Sequence, residues 1–259
     1  MERVQVVIPV YQNQLSESEF HSLRQVCKVL KRYPLVIVKP ESLDVSNWKE
    51  IYPLLEIESF PDEYFKGISG YNRLMLSELF YSRFVERTEY LLIYQLDAYV
   101  FRDELEDWCN KGYDYVGAPW MRRPVYNRLP VSAWMRLSKW YSRARKEPSR
   151  QDLYNKVGNG GFSLRHVAHH LAAIQKYPEK IARFLSYTDN HLYNEDVFWA
   201  TEVPEFYYPK ASEALLFSFD KHPSYCFRLV HGKLPFGCHA WSKKRMIHFW
   251  KDIIYASEP

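Results

Sequence analysis

The chain has 259 residues, 47% of them hydrophobic and 17% aromatic, enough to bury a substantial core in one large domain or two small ones. No apolar run reaches the roughly 18–20 residues of a membrane-spanning helix, and residues 1–10 run straight into a strand without a charged-then-apolar leader, which reads as a chain without a secretion signal. The net charge of +4 hides an asymmetry: within residues 121–150, nine basic residues (Arg122, Arg123, Arg128, Arg136, Lys139, Arg143, Arg145, Lys146, Arg150) face one acid, Glu147, which leaves the rest of the chain net acidic.

Cys27, Cys109, Cys226 and Cys238 are scattered without C-x-x-C spacing. They read as free thiols of a reducing, cytoplasmic compartment and argue against a disulfide framework or a zinc cluster. Twenty-one Tyr and eight Trp supply rings with one polar edge, suited to a cleft for a polyhydroxylated ligand, although most aromatics belong to the core.

In chain order, Val4-Gln-Val-Val-Ile-Pro-Val10 is an apolar run expected as a strand buried on both faces. Ser16, with Glu19 three residues on, opens an amphipathic helix through Leu30 by a capping box. Leu35-Val-Ile-Val38 follows as a strand, so the first forty residues form a parallel βαβ unit. Such sheets carry ligands at the C-terminal ends of their strands. A short strand is expected at 54–58, a helical face over 72–84, strands at 90–94 and 113–117, and a basic helix over 131–145. Beyond residue 157, helices are expected near 166–174, 179–185 and 194–200, and a strand at 214–219.

Four motifs can carry chemistry. The strand Tyr90-Leu-Leu-Ile-Tyr94 delivers Asp97 to its C-terminal end, where a carboxylate can hold Mg²⁺ or Mn²⁺ against a diphosphate or cap a turn or the helix near 103–109. In Val157-Gly-Asn-Gly-Gly-Phe-Ser-Leu-Arg165 the glycines permit positive φ and close approach of backbone to ligand. No Gly-Lys-Ser/Thr follows, so a P-loop is excluded, and a plain tight turn is the alternative. The adjacent carboxylates Glu195 and Asp196 at a helix start are either charges favoured by the helix terminus or a catalytic base. His239, in Phe236-Gly-Cys-His-Ala-Trp241, is a structural histidine or a ligand.

The order of these motifs over residues 4–249 resembles that of GT-A glycosyltransferases, in which an Asp-x-Asp region binds a nucleotide-diphosphate sugar through a divalent metal. It is most similar to a bacterial family of uncharacterised domains taken to be glycosyltransferases. The motif departs from the pattern, because Gln95 and Tyr99 flank Asp97 and only one carboxylate remains. The resemblance implies an α/β fold: one GT-A-like, Rossmann-like nucleotide-diphospho-sugar transferase domain over residues 1–259 with a mixed central sheet. It implies transfer of a hexosyl or pentosyl group from a UDP-sugar to a saccharide or lipid-linked acceptor in surface polysaccharide biosynthesis, with inversion. Asp196 would be the base and Glu195 its runner-up. Pro9, Val10, Tyr11, Arg73, Gln95, Asp97, Gly160 and Gly161 would meet the donor. Trp120, Asn159, Phe162 and Trp199 would meet the acceptor. Asp97 and His239 would hold Mn²⁺ or Mg²⁺, with His248 a weaker candidate.

The basic segment 121–150 is expected as a partly helical insertion. Its Trp134, Met135, Trp140 and Tyr141 either face an anionic membrane surface on the cytoplasmic side or enter the core. Nucleic acid is not an expected partner, since the remainder is acidic and no recognition module is apparent. Two other classes stay open: a nucleotide-binding or nucleotidyltransferase domain of related fold, and a non-catalytic glycan- or membrane-binding module.

Overall fold

A computed structural model describes residues 1–145, 147–187 and 190–256, with the side chains of residues 49–51 set aside; Lys146 of the basic segment lies outside the described residues. The strands are β1 (Glu2–Pro9), β2 (Leu35–Pro40), β3 (Leu55–Phe60), β4 (Thr88–Tyr94), β5 (Tyr99–Val100), β6 (Tyr115–Gly117), β7 (Phe162–His166), β8 (Ser218–Phe219) and β9 (Gly237–Cys238). The helices are α1 (Glu17–Val29), α2 (Ser46–Ile51), α3 (Gly67–Met75), α4 (Glu78–Ser82), α5 (Leu105–Asn110), α6 (Val131–Ala144), α7 (Val167–Lys176), α8 (Pro178–Leu185), α9 (Glu195–Thr201), α10 (Ala211–Phe217), α11 (Pro223–Leu229) and α12 (Ile247–Tyr255).

The main sheet is mixed, six-stranded and ordered β3-β2-β1-β4-β7-β6; β5, β9 and β8 form a small second sheet. Strands β1 to β4 run parallel, and β7 is antiparallel to both β4 and β6. The expected βαβ unit is present, with Val6 opposite Leu35. Ser16 caps α1: its Oγ accepts from Glu19 N while the Glu19 carboxylate accepts from Ser16 N.

Both faces of the sheet are covered at its centre, which is why β2 and the inner parts of β1 and β4 are largely apolar rather than alternating, whereas the edge strand β3 alternates. Val4, Val6 and Ile8 pack with Leu23 and Val26 of α1 and with Trp108 and Phe217. Val7, Val36 and Val38 face the other way, toward Leu74, Phe80, Val167 and Phe198.

Two expected elements differ. The helical face of 72–84 is broken into α3 and α4, because Ser77 starts a new helix by accepting from Phe80 N at 3.2 Å; Leu74, Met75, Phe80 and Phe84 are nevertheless all buried. The strand expected at 214–219 is mostly α10, followed by the two-residue β8. Ala214, Leu215 and Phe217 are buried while Leu216 is exposed. That is a helical pattern, which so short an apolar run does not distinguish from a strand.

Strand order puts a topological switch between β1 and β4: the chain proceeds from β1 to one side through β2 and β3, then returns to add β4 on the other. Open α/β sheets bind their ligands outside the strand ends at this point. The residues following β1 and β4 are Val10–Tyr11 and Gln95–Asp97.

Candidate active site

A cleft of about 670 Å³ opens at that switch point, with Pro9, Val10 and Tyr11 on the β1 side, Gln95, Leu96 and Asp97 on the β4 side, and Asn159, Gly160 and Gly161 across from them. Glu195, Asp196, His239 and Lys243 complete its wall. The sequence separates these groups by up to 234 residues, from Pro9 to Lys243; the fold brings them together.

The Gly158–Gly161 loop lies against the β4 end, where Gln95 N donates to Gly161 O at 2.8 Å. Its glycines serve close approach rather than unusual backbone. The positive φ of the loop belongs to Asn159 (64°), a residue type that tolerates it. A Cβ on Gly158 would fall 2.0 Å from the Trp120 ring, on Gly160 1.7 Å from Glu195 Oε1, and on Gly161 2.2 Å from His239 Nε2. The loop is thus bare backbone pressed between the side chains of Trp120, Glu195 and His239.

Within the cleft, His239 sits between two carboxylates. Its Nε2 is 3.0 Å from Asp97 Oδ1, and its Nδ1 is 3.3 Å from Asp220 Oδ1. Asn159 Nδ2 is 3.0 Å from the same Nδ1, and Gln95 Oε1 is 3.3 Å from Nε2. Lys243 Nζ reaches Asp97 Oδ2 at 3.1 Å. Burial opposes a charged imidazole, but Asp97 and Asp220 outweigh it and raise His239 to about 9. Burial likewise opposes an ionised Asp97, yet His239 and Lys243 hold its carboxyl well below the ordinary range. Asp97 does not cap the following helix: Asp103 Oδ1, at 3.3 Å, accepts from Leu105 N.

The same residues fit a divalent cation as one face of a coordination shell. Asp97 Oδ1 is buried, faces His239 Nε2 at 3.0 Å without an aligned hydrogen bond, and converges with that nitrogen and with Gln95 Oε1. Asp220 on Nδ1 is the carboxylate that commonly orients a metal-binding imidazole and frees Nε2. Among the described residues no three His, Cys, Asp or Glu side chains form such a group. The shell therefore depends on Gln95 and on oxygens brought by a ligand.

In the same cleft wall, α9 presents Glu195 and Asp196 in its first turn. Glu195 is buried beneath Gly160, its Oε1 3.2 Å from Nη2 of the fully buried Arg165. Arg165 also donates to Tyr81 OH, Ser163 Oγ and Gly160 O. Asn72 fixes the start of the helix by accepting from Glu195 N at 3.1 Å and donating to Asn194 Oδ1 at 3.2 Å. Burial raises Glu195 to about 7 despite Arg165. Its Oε2 is buried and has no partner. Asp196 is half-buried, with Oδ1 accepting from Val197 N at 2.8 Å. Burial raises it, and Asp220 adds to the rise.

Of the residues expected at a site, Pro9, Val10, Tyr11, Gln95, Asp97, Asn159, Gly160, Gly161, Glu195, Asp196 and His239 line one cleft. The others do not. Phe162 is fully buried among Tyr94, Phe217 and Phe236, and Trp199 is fully buried against Phe198, Phe206 and His170. Neither ring can stack on a sugar. Trp120 backs Gly158 from outside the cleft. Arg73 is exposed and donates to Glu63 O at 3.0 Å, away from the diphosphate position expected for it. His248 lies in the first turn of α12 and is not part of the cleft wall.

Sequence reasoning missed Lys243, Asp220, Asn72 and Arg165. Lys243, four residues after His239, could have been read from spacing. Asp220 directly follows β8, at the end of the run 214–219 expected as a strand, but no motif around it marked it as a site residue.

The chain belongs to a family described as a protein of unknown function, DUF5672, whose profile matches residues 54–239. No curated protein matches the sequence. Among solved structures, the galactosyltransferase LgtC, in complex with donor and acceptor sugar analogues, superposes with a TM-score of 0.58 at 12% identity, covering 97% of this chain and 94% of that one. Mouse xyloside xylosyltransferase 1 gives 0.52 at 10% identity over 92% and 97%. The glycosyltransferase GlyE of Streptococcus pneumoniae gives 0.53 at 11% identity over 95% of this chain and 56% of that one. The expected GT-A fold with its mixed central sheet is thereby shown.

Proposed function

We propose that the protein is a glycosyltransferase that moves a sugar from a nucleotide-diphosphate donor, a UDP-sugar, to a hydroxyl of a saccharide acceptor carried on a lipid-linked surface glycan. The observation that carries the reading is the meeting of two kinds of group in one cleft at the β1/β4 switch point. Cationic and metal-competent groups (Lys243, His239, Asp97, Gln95) share its wall with two carboxylates on α9, Glu195 buried and Asp196 half-buried. A diphosphate leaving group needs the first, and an attacking hydroxyl needs the second.

In this reading Pro9, Val10 and Tyr11 meet the nucleotide base, and Lys243 balances the charge that develops on the diphosphate as its bond to the anomeric carbon breaks. Gln95, Asp97 and His239 are the residues that would hold Mn²⁺ or Mg²⁺; a bound cation would neutralise diphosphate charge as a Lewis acid. Asp196, the more accessible carboxylate, takes the proton of the acceptor hydroxyl while that oxygen forms the new bond to the anomeric carbon, with inversion. Glu195 and Arg165 hold the glycine loop at the sugar.

A second reading rests on Glu195 Oε2, which is buried, unpartnered and adjacent to Gly160. A carboxylate oxygen there can displace the nucleoside diphosphate from the anomeric carbon to give a glycosyl ester; the acceptor hydroxyl, losing its proton, then displaces the carboxylate, and the two inversions together keep the donor's configuration.

The test is release of nucleoside diphosphate from UDP-sugars with a saccharide acceptor. Asp196→Asn should lower turnover by about 10²-fold or more and leave donor binding, read by thermal shift, largely intact. Full activity in that variant removes Asp196 as base, and release of pyrophosphate instead assigns a nucleotidyltransferase. Product anomeric configuration by NMR separates the two readings: inversion supports Asp196, retention supports Glu195.

A further inference from the structure

Helix α6 turns its apolar side away from the protein. At 3.6 residues per turn, Trp134, Leu137, Trp140 and Tyr141 fall within an arc of about 120°, and they are 68%, 63%, 65% and 54% exposed. Leu129, in the turn that leads into the helix, is 76% exposed and extends the patch. The opposite side holds the helix down with small and polar contacts. Met135 is buried and its carbonyl accepts from Gln151 Nε2 at 2.7 Å, and Lys139 pairs with Asp152 at 2.9 Å. A surface helix ordinarily buries its apolar stripe; α6 presents it.

The surroundings of the patch identify what it meets. Arg128, Arg136 and Arg143 are exposed, and Arg136 and Arg143 have no ion-pair partner among the described residues. Three of the four apolar side chains on the arc are Trp or Tyr, rings with an apolar body and a polar edge, which favour the boundary between water and hydrocarbon. A strongly basic stretch on an otherwise acidic chain is complementary to an anionic surface. Among the described residues no helix is long and apolar enough to cross a membrane, so this is contact in the plane of the interface.

We infer that α6 docks the protein on an anionic phospholipid bilayer, with Trp134, Leu137, Trp140 and Tyr141 at the headgroup–acyl boundary and the flanking arginines on lipid phosphates. The same segment is tied to the cleft. The chain leaves at Trp120 and returns at Lys156, joined by Trp120 N donating to Lys156 O at 3.0 Å and Asn155 N donating to Trp120 O at 2.9 Å. It then runs directly into the Gly158–Gly161 loop. A membrane-held acceptor would therefore be presented to the loop from the docked side; that consequence rests on the proposed function, whereas the docking does not.

The experiment reads binding alone. The full chain is floated with vesicles of phosphatidylcholine, or of phosphatidylcholine mixed with phosphatidylglycerol, at low and high salt. Partitioning onto the anionic vesicles that high salt weakens is the expected result. Arg136→Ala with Arg143→Ala should weaken it about fivefold per arginine. Trp134→Ser with Trp140→Ser should weaken it about tenfold or more, with Tm unchanged in both double variants. Absence of flotation on anionic vesicles, or flotation that both variants retain, overturns the inference. So does self-association of the wild type without lipid that Trp134→Ser with Trp140→Ser abolishes while no vesicle binding is seen, because the face then belongs to a second copy.

Discussion

Strand β4 and helix α6 are built from similar side chains and used in opposite ways. In β4, Tyr90 to Tyr94 are all buried, locked between β1 and β7, and the strand end is held by the glycine loop. In α6, only Met135 is buried, and two Trp, a Leu and a Tyr stand in solvent. The difference lies in what surrounds each element. A central strand has neighbours on both edges and both faces, so each side chain is over-determined. A helix attached at its neck and by one side keeps a free face, and that face can be shaped by a partner instead of by the core. The chemistry of the cleft sits on the over-determined region, where positions are held by many contacts at once.

The comparison predicts where a single change does most harm. Arg165 is the deepest charge in the cleft floor, and its removal leaves Glu195 buried without a counter-ion and Tyr81 OH without its donor. Arg165→Met should cost about 3–5 kcal/mol in urea unfolding. Because the loss comes from an uncompensated charge, adding Glu195→Gln should recover part of it, so the double variant falls short of the sum. Strict additivity would mean that the pair is not coupled and the floor is held by packing alone.

Next in size is the glycine loop. A methyl on Gly160 would lie 1.7 Å from Glu195 Oε1 and 3.1 Å from Arg165 Nη2, and neither partner is free to swing away. Gly160→Ala should destabilise by about 1–3 kcal/mol and lower turnover through displacement of Glu195. A stable, fully active variant would show that the loop floats over the carboxylate instead of pressing on it.

A smaller effect is expected with pH. Burial raises Glu195 from its ordinary 4.5 to about 7. An acid whose pKa is higher in the folded state contributes stability that is complete below about 4.5 and is lost as pH rises through 7. The wild-type Tm should therefore decline between pH 5 and 8 relative to Glu195→Gln, which does not titrate. Parallel profiles would mean that Arg165 keeps the carboxylate ionised throughout.

These residues also mark what could be read from sequence. The apolar runs at 4–10 and 90–94 announce strands covered on both faces, and such strands imply a crevice at their ends. Asp97 was legible for that reason. Glu195 and Asp196 were legible as carboxylates at a helix start, a pattern that helix-terminus charge explains equally well until the fold places them in the cleft. The Arg165–Glu195 pair was not, since its members lie 30 residues apart and Arg165 sits in a strand where a charge is not expected. Phe162 and Trp199 were expected at the acceptor through the resemblance, as members of the glycine-loop and Glu-Asp-Val segments. In a strand the neighbour of a cleft residue points to the other face, which takes Phe162 into the core; Trp199 is one turn further along α9 than the carboxylates and is buried against Phe198, Phe206 and His170. The periodicity of 131–145 announces an apolar face on α6, yet a pattern in one segment does not say whether anything covers it.

That last point yields the smallest expected effect and the sharpest test of the contrast. Met135 and Trp134 are adjacent in α6, one buried and one 68% exposed. Met135→Ala removes contacts that hold the helix to the protein and should cost about 2 kcal/mol. Trp134→Ala deletes the larger side chain and should change stability by less than about 0.5 kcal/mol, because in water the indole has little to lose. Equal losses would show that Trp134 packs on the protein in solution, and α6 would then be a core helix like any other. A loss confined to Met135 leaves the tryptophan without a structural role in the isolated molecule, which is the condition for the face to belong to a membrane.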